Sequence, residues 1–267
     1  MTDTGRGAGP DFIEALARGL DVLRAFRSGT PSMTLSEIAG LTGLARPTVR
    51  RILITLETLG YVRGAGRGYA LTPRVLDLGM AYVHSLSLWD VARPHMEKLV
   101  AQTGESTSMA QMDGSDIVYV ARVAVPKIVT LAVTIGTRFP AAATSMGKVL
   151  LAALPPATVA GVVAEASRSG ITPRRQPSPA ELETALREVR AKGWALADQD
   201  LAPGIRSVAT GVRDGEGRVV AALNVTVHAA ETSVETLLDD YLPKLLRAAA
   251  DIGHDLTRTA GIPATTV

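Results

Sequence analysis

The chain contains no cysteine. That absence removes disulfides, thiolate zinc sites and cysteine nucleophiles, and it fits a reducing compartment. No run of about 20 apolar residues occurs, so no membrane-spanning helix is expected. The opening MTDTGRGAGPDF carries no long apolar stretch and does not read as a signal peptide. Aromatic residues make up only 4% of the chain, and Trp89 and Trp194 read as core rather than as stacking platforms. The four histidines, His84, His95, His228 and His254, are scattered, a spacing that suits solvated or hydrogen-bonded rings and no metal site.

What is present is enough for two ordinary domains: 267 residues, 46% hydrophobic and 20% charged. The net charge of +2 says little by itself, but its distribution is uneven. Up to Arg74 there are ten basic and six acidic residues, 10 − 6 = +4. The remainder carries (28 − 10) − (26 − 6) = −2. A basic head on a slightly acidic body is the asymmetry of a polyanion-binding module on a carrier, although a solvated charged face gives the same count.

The head has a readable order. Residues 1–10 are rich in Gly, Thr and charge and read as a disordered tail. Phe12, Leu16, Leu20, Leu23 and Phe26 recur at helical spacing, which predicts a first helix with a core-packing stripe closed by Ser28-Gly29. Thr34-Leu35-Ser36-Glu37 is a capping box that opens a short helix to about Thr42. Gly43 permits the positive φ of a tight turn. A second helix follows from about Arg46 to Leu59, with Val49, Ile52, Leu53, Leu56 and Leu59 on one stripe and Arg50, Arg51, Thr55 and Thr58 elsewhere. A helix of this kind fits the major groove, and arginine grips guanine O6 and N7 or a phosphate. Leu59-Gly60-Tyr61-Val62-Arg63 starts a strand that Gly64-Ala65-Gly66-Arg67-Gly68 turns back into Tyr69-Ala70-Leu71. This hairpin would carry Arg63 and Arg67 to backbone phosphate or the minor groove.

With ARGLDVLRAF, LSEIAGLTGLARPTVRRILITLETLGYV and YALTPRVLDLG, the chain resembles the IclR (isocitrate lyase regulator) family of bacterial transcription factors from about Asp11 onward. Ala45 departs from the many relatives that carry serine there. The resemblance implies a winged helix-turn-helix over 11–72, a linker helix over 73–90 that helps dimerise, and a GAF-like effector domain over 91–267. It implies double-stranded operator DNA as partner, read by Arg46, Pro47, Thr48, Arg50, Arg51, Thr55, Arg63 and Arg67. It further implies a homodimer or homotetramer, a cytoplasmic location and no resident cofactor.

The body alternates strands and helices. Glu105–Met112 and Ile117–Val123 flank the hairpin signal Asp113-Gly114, and Ser207–Arg213 and Arg218–His228 flank Asp214-Gly215-Glu216-Gly217. Ile128–Ile135 and Trp194–Ala197 read as further strands. Helices are expected over Arg74–Leu86, Trp89–Val100, Met146–Leu154, Thr158–Ser169, Pro179–Lys192 and Ser233–Thr257, and the loop Gly136–Ser145 precedes the third of these. Two hairpins plus helices argue for an α+β domain with an antiparallel sheet.

Thr144-Ser145-Met146-Gly147-Lys148 has several readings. A phosphate loop needs glycine where Ala142 stands and Ser or Thr where Val149 stands. A Ser-x-x-Lys nucleophile, Ser145 activated by Lys148, lacks its partner motifs; it is the one feature that favours a hydrolase with a DNA-binding appendage. Helix N-terminal amides with the Ser145 hydroxyl suit a carboxylate, and a plain N-cap by Thr144 or Ser145 is the structural alternative. The resemblance favours the binding loop: Ser145 and Met146, the loop Asp198–Leu201 with Asp198 and Asp200, and Ser207, Asn224 and Thr226 would line an effector pocket. Arg206 would meet a ligand carboxylate or Asp200, and Arg138 reads first as a surface charge and second as a candidate for a ligand carboxylate. LWDVARPHMEKL, ATSMGKVLLA and DQDLAPGIRSVA resemble the regulators of aromatic-acid catabolism through protocatechuate and β-ketoadipate. The expected effector is then a small organic acid: protocatechuate, 4-hydroxybenzoate or β-ketoadipate.

Overall fold

The computed structural model describes residues 9, 11–26, 30–79, 88–126 and 133–259. The expected tail, the Ser28-Gly29 closure, most of the Arg74–Leu86 helix and most of the Ile128–Ile135 strand lie outside them. The chain divides into two compact units, residues 1–82 and 83–267.

The first unit contains α1 (Glu14–Ala25), α2 (Leu35–Thr42), α3 (Arg46–Thr58) and the hairpin β1 (Val62–Ala65) and β2 (Gly68–Leu71). The capping box closes: the Glu37 amide donates to Thr34 Oγ1 and the Thr34 amide donates to Glu37 Oε2 at 2.7 Å. Gly43 ends α2 at φ 68°, a left-handed position that costs glycine nothing. Val22, Ile38, Val49, Leu53 and Val62 then form a small buried core. Met33 bridges Tyr69, so the hairpin is tied to the chain before α2. The α1 stripe differs from expectation. Phe12, Leu16 and Leu20 are exposed, and the buried positions of α1 are Val22 and Ala25. A unit this small has too little core to cover both ends of a twelve-residue helix. Residues 75–79 start a helix where the linker is expected.

The second unit is a six-stranded sheet in the order β5-β4-β3-β8-β7-β6, antiparallel at every pairing. Its strands are β3 (Ser106–Asp113), β4 (Asp116–Val123), β5 (Arg138–Pro140), β6 (Trp194–Asp198), β7 (Ile205–Arg213) and β8 (Val219–His228). Its longer helices are α4 (Leu88–Thr103), α5 (Ser145–Ala153), α6 (Pro156–Ala164), α7 (Pro179–Lys192) and α8 (Leu242–Thr259), the last entered through a helical turn at Val234–Thr236 and a wide π turn at Leu237–Tyr241. One sheet face packs Met109, Val208, Leu223 and Val225 against Met96 and Leu99 of α4 and Leu245 and Ile252 of α8. The opposite face carries small residues, Ala110, Ala195, Ala209 and Ala222, which admit α5 and α7 closely.

Two stretches depart from the sequence-based expectation. The edge strand is Arg138–Pro140, inside the stretch read as loop; it pairs with the start of β4, and residues 133–135 are not strand. A Pro can end an edge strand because its missing N–H faces no partner. The helix expected over Thr158–Ser169 is Pro156–Ala164. Past it, the buried Asp116 carboxylate accepts from Ser167 Oγ at 2.7 Å and from the Arg168 amide at 2.6 Å, and these bonds draw the chain out of the helix.

Candidate functional site

On the first unit, Val49, Leu53 and Leu56 bury one side of α3 and leave the opposite half in solvent. Arg46, Pro47, Arg50, Arg51 and Thr55 are exposed there, with Thr48 half-buried. None of Arg46, Arg50, Arg51, Arg63 and Arg67 forms a salt bridge with a described residue, so their charge is available to an external anion. The wing is fixed to α3 by Glu57 Oε1, which accepts from the Gly64 amide at 3.0 Å. Arg63 and Arg67 are exposed on that hairpin. A helix and a braced hairpin thus present cations from one small unit.

On the second unit a cavity opens between the α5 N-terminus and the small-residue face of the sheet. Ser145, Met146, Ser207, Asn224 and Thr226 meet at it, together with Tyr119 and Arg122. Thr144 is the N-cap of α5 and accepts from the Gly147 amide at 3.0 Å. The cap therefore belongs to Thr144, and the Ser145 hydroxyl is turned to Ser207 Oγ at 2.8 Å. Asn224 uses its Oδ1 to accept from the Ser108 amide and its amide nitrogen to donate to Thr226 Oγ1. Tyr119 packs edge-on against Phe139 with ring centroids 5.4 Å apart. Burial pushes its phenol up to about 12, opposed by the Arg122 charge and an Asn224 hydrogen bond, so it stays protonated at neutral pH.

Asp198, Asp200 and Arg206 do not line this cavity. Asp198 takes both Arg206 Nε at 2.9 Å and Nη2 at 3.0 Å. The Arg206 bonds hold the Asp198 carboxyl below its usual range. The partner of Arg206 is therefore Asp198 in place of Asp200. Asp200 pairs with Lys148 Nζ at 2.7 Å. An ammonium engaged with a carboxylate, and bonded to Leu196 rather than to Ser145, is not placed to take a proton from that hydroxyl. Arg138 is partly buried and paired with Asp113, which corrects its reading as a surface charge. Among the described residues, no cluster of three His, Cys, Asp or Glu is placed to hold a metal, and no helix is long and apolar enough to cross a membrane.

Two family models divide the chain between them. Residues 15–66 match the IclR helix-turn-helix domain, and residues 80–254 match the C-terminal region of the bacterial transcriptional regulator IclR. The chain belongs to the IclR family. Its members are ligand-responsive, DNA-binding transcriptional regulators. The Pca regulon regulatory protein of Pseudomonas putida is 40% identical over 92% of this chain and 85% of that protein. The crystal structure of a transcriptional regulator from Rhodococcus sp. RHA1 is 46% identical, with a TM-score of 0.80 over 93% of this chain and all of that one. An IclR homolog from Microbacterium hydrocarbonoxydans, crystallised with 4-hydroxybenzoate, has a TM-score of 0.80 at 25% identity over 91% of this chain and 99% of that one. In this IclR-family chain the sequence reading missed Tyr119 and Arg122. The available signal was one arginine in the otherwise apolar run Ile117–Val123.

Proposed function

We propose that this chain controls genes of aromatic-acid catabolism on the β-ketoadipate route, as a dimer or dimer of dimers in the cytoplasm. Its effector is a small carboxylic acid such as 4-hydroxybenzoate, protocatechuate or β-ketoadipate. The observation that carries this reading is the convergence of Ser145, Ser207, Asn224 and Thr226 on one cavity from a helix and two strands. A related fold that holds 4-hydroxybenzoate supports the chemical class. The Ser145–Ser207 and Asn224–Thr226 bonds leave hydroxyl donor and acceptor sites unused, and a ligand carrying a carboxylate and further oxygens engages them. The exposed apolar residues Phe12, Ile13, Leu16 and Leu20 support self-association, since a monomer rarely leaves such a row in water.

Operator DNA is read by α3 through Arg46, Pro47, Thr48, Arg50, Arg51 and Thr55, with Arg63 and Arg67 on the wing. Fluorescence anisotropy on an operator selected from random duplexes tests this. Arg50→Ala and Arg51→Ala are each expected to abolish the shift while circular dichroism stays unchanged. Affinity should also fall steeply between 50 and 200 mM salt, by roughly 10³-fold or more if about six phosphates are neutralised. Wild-type affinity in both variants would overturn the assignment of α3.

A further inference from the structure

Strict alternation along β4 would place Arg122 on the wrong side of the sheet. Ile117 and Tyr119 face the small-residue side, so an unbroken strand would put Ala121 there too and bury Arg122 among the apolar contacts of α4 and α8. The pairing instead shifts: Met109 opposes Ala121, and Ala110 opposes Tyr119. Val120 is the extra residue of a β-bulge, which reverses the parity of everything after it. Ala121 then joins the opposite core while Tyr119 and Arg122 share the cavity. A bulge that re-aims one side chain is a constructed feature, and here the side chain is a guanidinium.

That guanidinium is short of partners. Arg122 Nη1 donates to Ser108 Oγ at 2.9 Å. No carboxylate among the described residues forms an ion pair with it, in a structure where Arg138, Arg206 and Lys148 each have one. Burial pulls the Arg122 pKa down, partly offset by Tyr119. Among the described residues, the cavity lining contains no Asp or Glu, and its single charge is Arg122. A half-buried cation facing neutral walls carries a desolvation cost that an incoming anion relieves.

The far end of the cavity is different. Arg122 opposes Ser108, Ser108 opposes Asn224, and Asn224 opposes Ala209, two residues from Ser207. Three strand spacings, about 14 Å at the backbone, separate the guanidinium's strand from the hydroxyl pair Ser145–Ser207. Met146, Phe139, Leu201 and Ile205 wall the space between.

We propose that Arg122 anchors the effector's carboxylate, and that the Ser145–Ser207 hydroxyl pair at the α5 N-terminus reads a hydroxyl at the other end of a flat apolar body. This rests on the cavity being the effector site. It reverses the orientation in which the helix N-terminus takes the acid. The ligand class is a monocarboxylic acid with a distal hydroxyl, held by two parallel N–H···O bonds that a lysine would not reproduce.

Isothermal titration of the full chain tests the orientation, with 4-hydroxybenzoate, its neutral amide 4-hydroxybenzamide, and benzoate as probes. Wild type is expected to prefer the acid over the amide by on the order of 10- to 100-fold, the worth of hydrogen bonds to a charged group. Arg122→Met should erase that preference, and Arg122→Lys should restore part of it. Ser145→Ala should keep the acid-over-amide preference and lose the preference for 4-hydroxybenzoate over benzoate. A wild-type melting temperature of the sheet unit in both Arg122 variants without acid verifies that they are folded. An acid preference that survives Arg122→Met and disappears in Ser145→Ala overturns the proposal and returns the carboxylate to the helix N-terminus. Binding of β-ketoadipate, a dicarboxylate without a hydroxyl, in place of 4-hydroxybenzoate and protocatechuate overturns this orientation and leaves the effector reading standing; if all three fail to bind wild type, the effector reading falls as well.

Discussion

Ala45 occupies the N-cap of α3 with extended backbone, φ −61° and ψ 139°, and offers no side-chain acceptor to the helix amides. The geometry is that of a capped helix without the cap. Ala45→Ser is therefore expected to stabilise the winged-helix unit by about 1 kcal/mol, because a serine oxygen there accepts from an orphan amide. Urea denaturation followed by circular dichroism checks it; an unchanged midpoint would mean that solvent already satisfies those amides fully. Capping was legible in the sequence at α2, whereas the equally local capping box of Ser178 and Glu181 was not read. Thr34 and Glu37 are three apart, and their reciprocal bonds form as the spacing requires. Arg122 was not legible, because its direction depends on a register shift between β3 and β4 that no residue of IVYVARV announces. The Arg206 partner was missed for a related reason. Asp198 and Asp200 are both near in sequence, and only the β6–β7 register, Asp198 opposite Arg206, chooses between them.

α5 shows how an element is positioned by what it lacks. A Cβ built on Gly147 would overlap the Ala141 carbonyl, so the helix can sit against the 3₁₀ turn Ala141–Ala143 only because that atom is missing. Propensity and packing pull in opposite directions at this position. Alanine gains about 1 kcal/mol over glycine inside a helix, whereas a backbone overlap costs about 1–3 kcal/mol and displaces the element. Gly147→Ala is expected to lower the melting temperature of the second unit and to weaken 4-hydroxybenzoate binding, since Ser145 and Met146 ride on the same turn. A raised melting temperature would show that the turn yields at no cost. Most elements were legible because their signals are local: hairpins at Asp113-Gly114 and Asp214–Gly217, and a helix over Pro179–Lys192. The short strand Arg138–Pro140 was not, because three residues hold no periodicity and their extended state is imposed by β4.

The described residues form three apolar clusters, one confined to the first unit and two on opposite faces of the sheet in the second. Neither sheet cluster shares a buried residue with the winged-helix cluster, so the two units have the means to unfold separately. The charge asymmetry follows the same division, with the exposed arginines on α3 and the wing and the internal ion pairs of Lys148 and Arg206 in the sheet unit. Differential scanning calorimetry is expected to resolve two transitions. A ligand that binds only the sheet unit raises only that unit's stability, by about 2.7 kcal/mol when present at 100 times its Kd. Saturating 4-hydroxybenzoate should therefore move one transition. Leu53→Ala, which empties part of the winged-helix core, should lower the other by an amount set by about 2–5 kcal/mol of lost packing. A single transition that shifts as a unit under both treatments would overturn this division. It would also mean that effector energy reaches α3 through shared stability, because only units that melt independently need a displaced contact to carry a signal from the cavity to the DNA-reading helix.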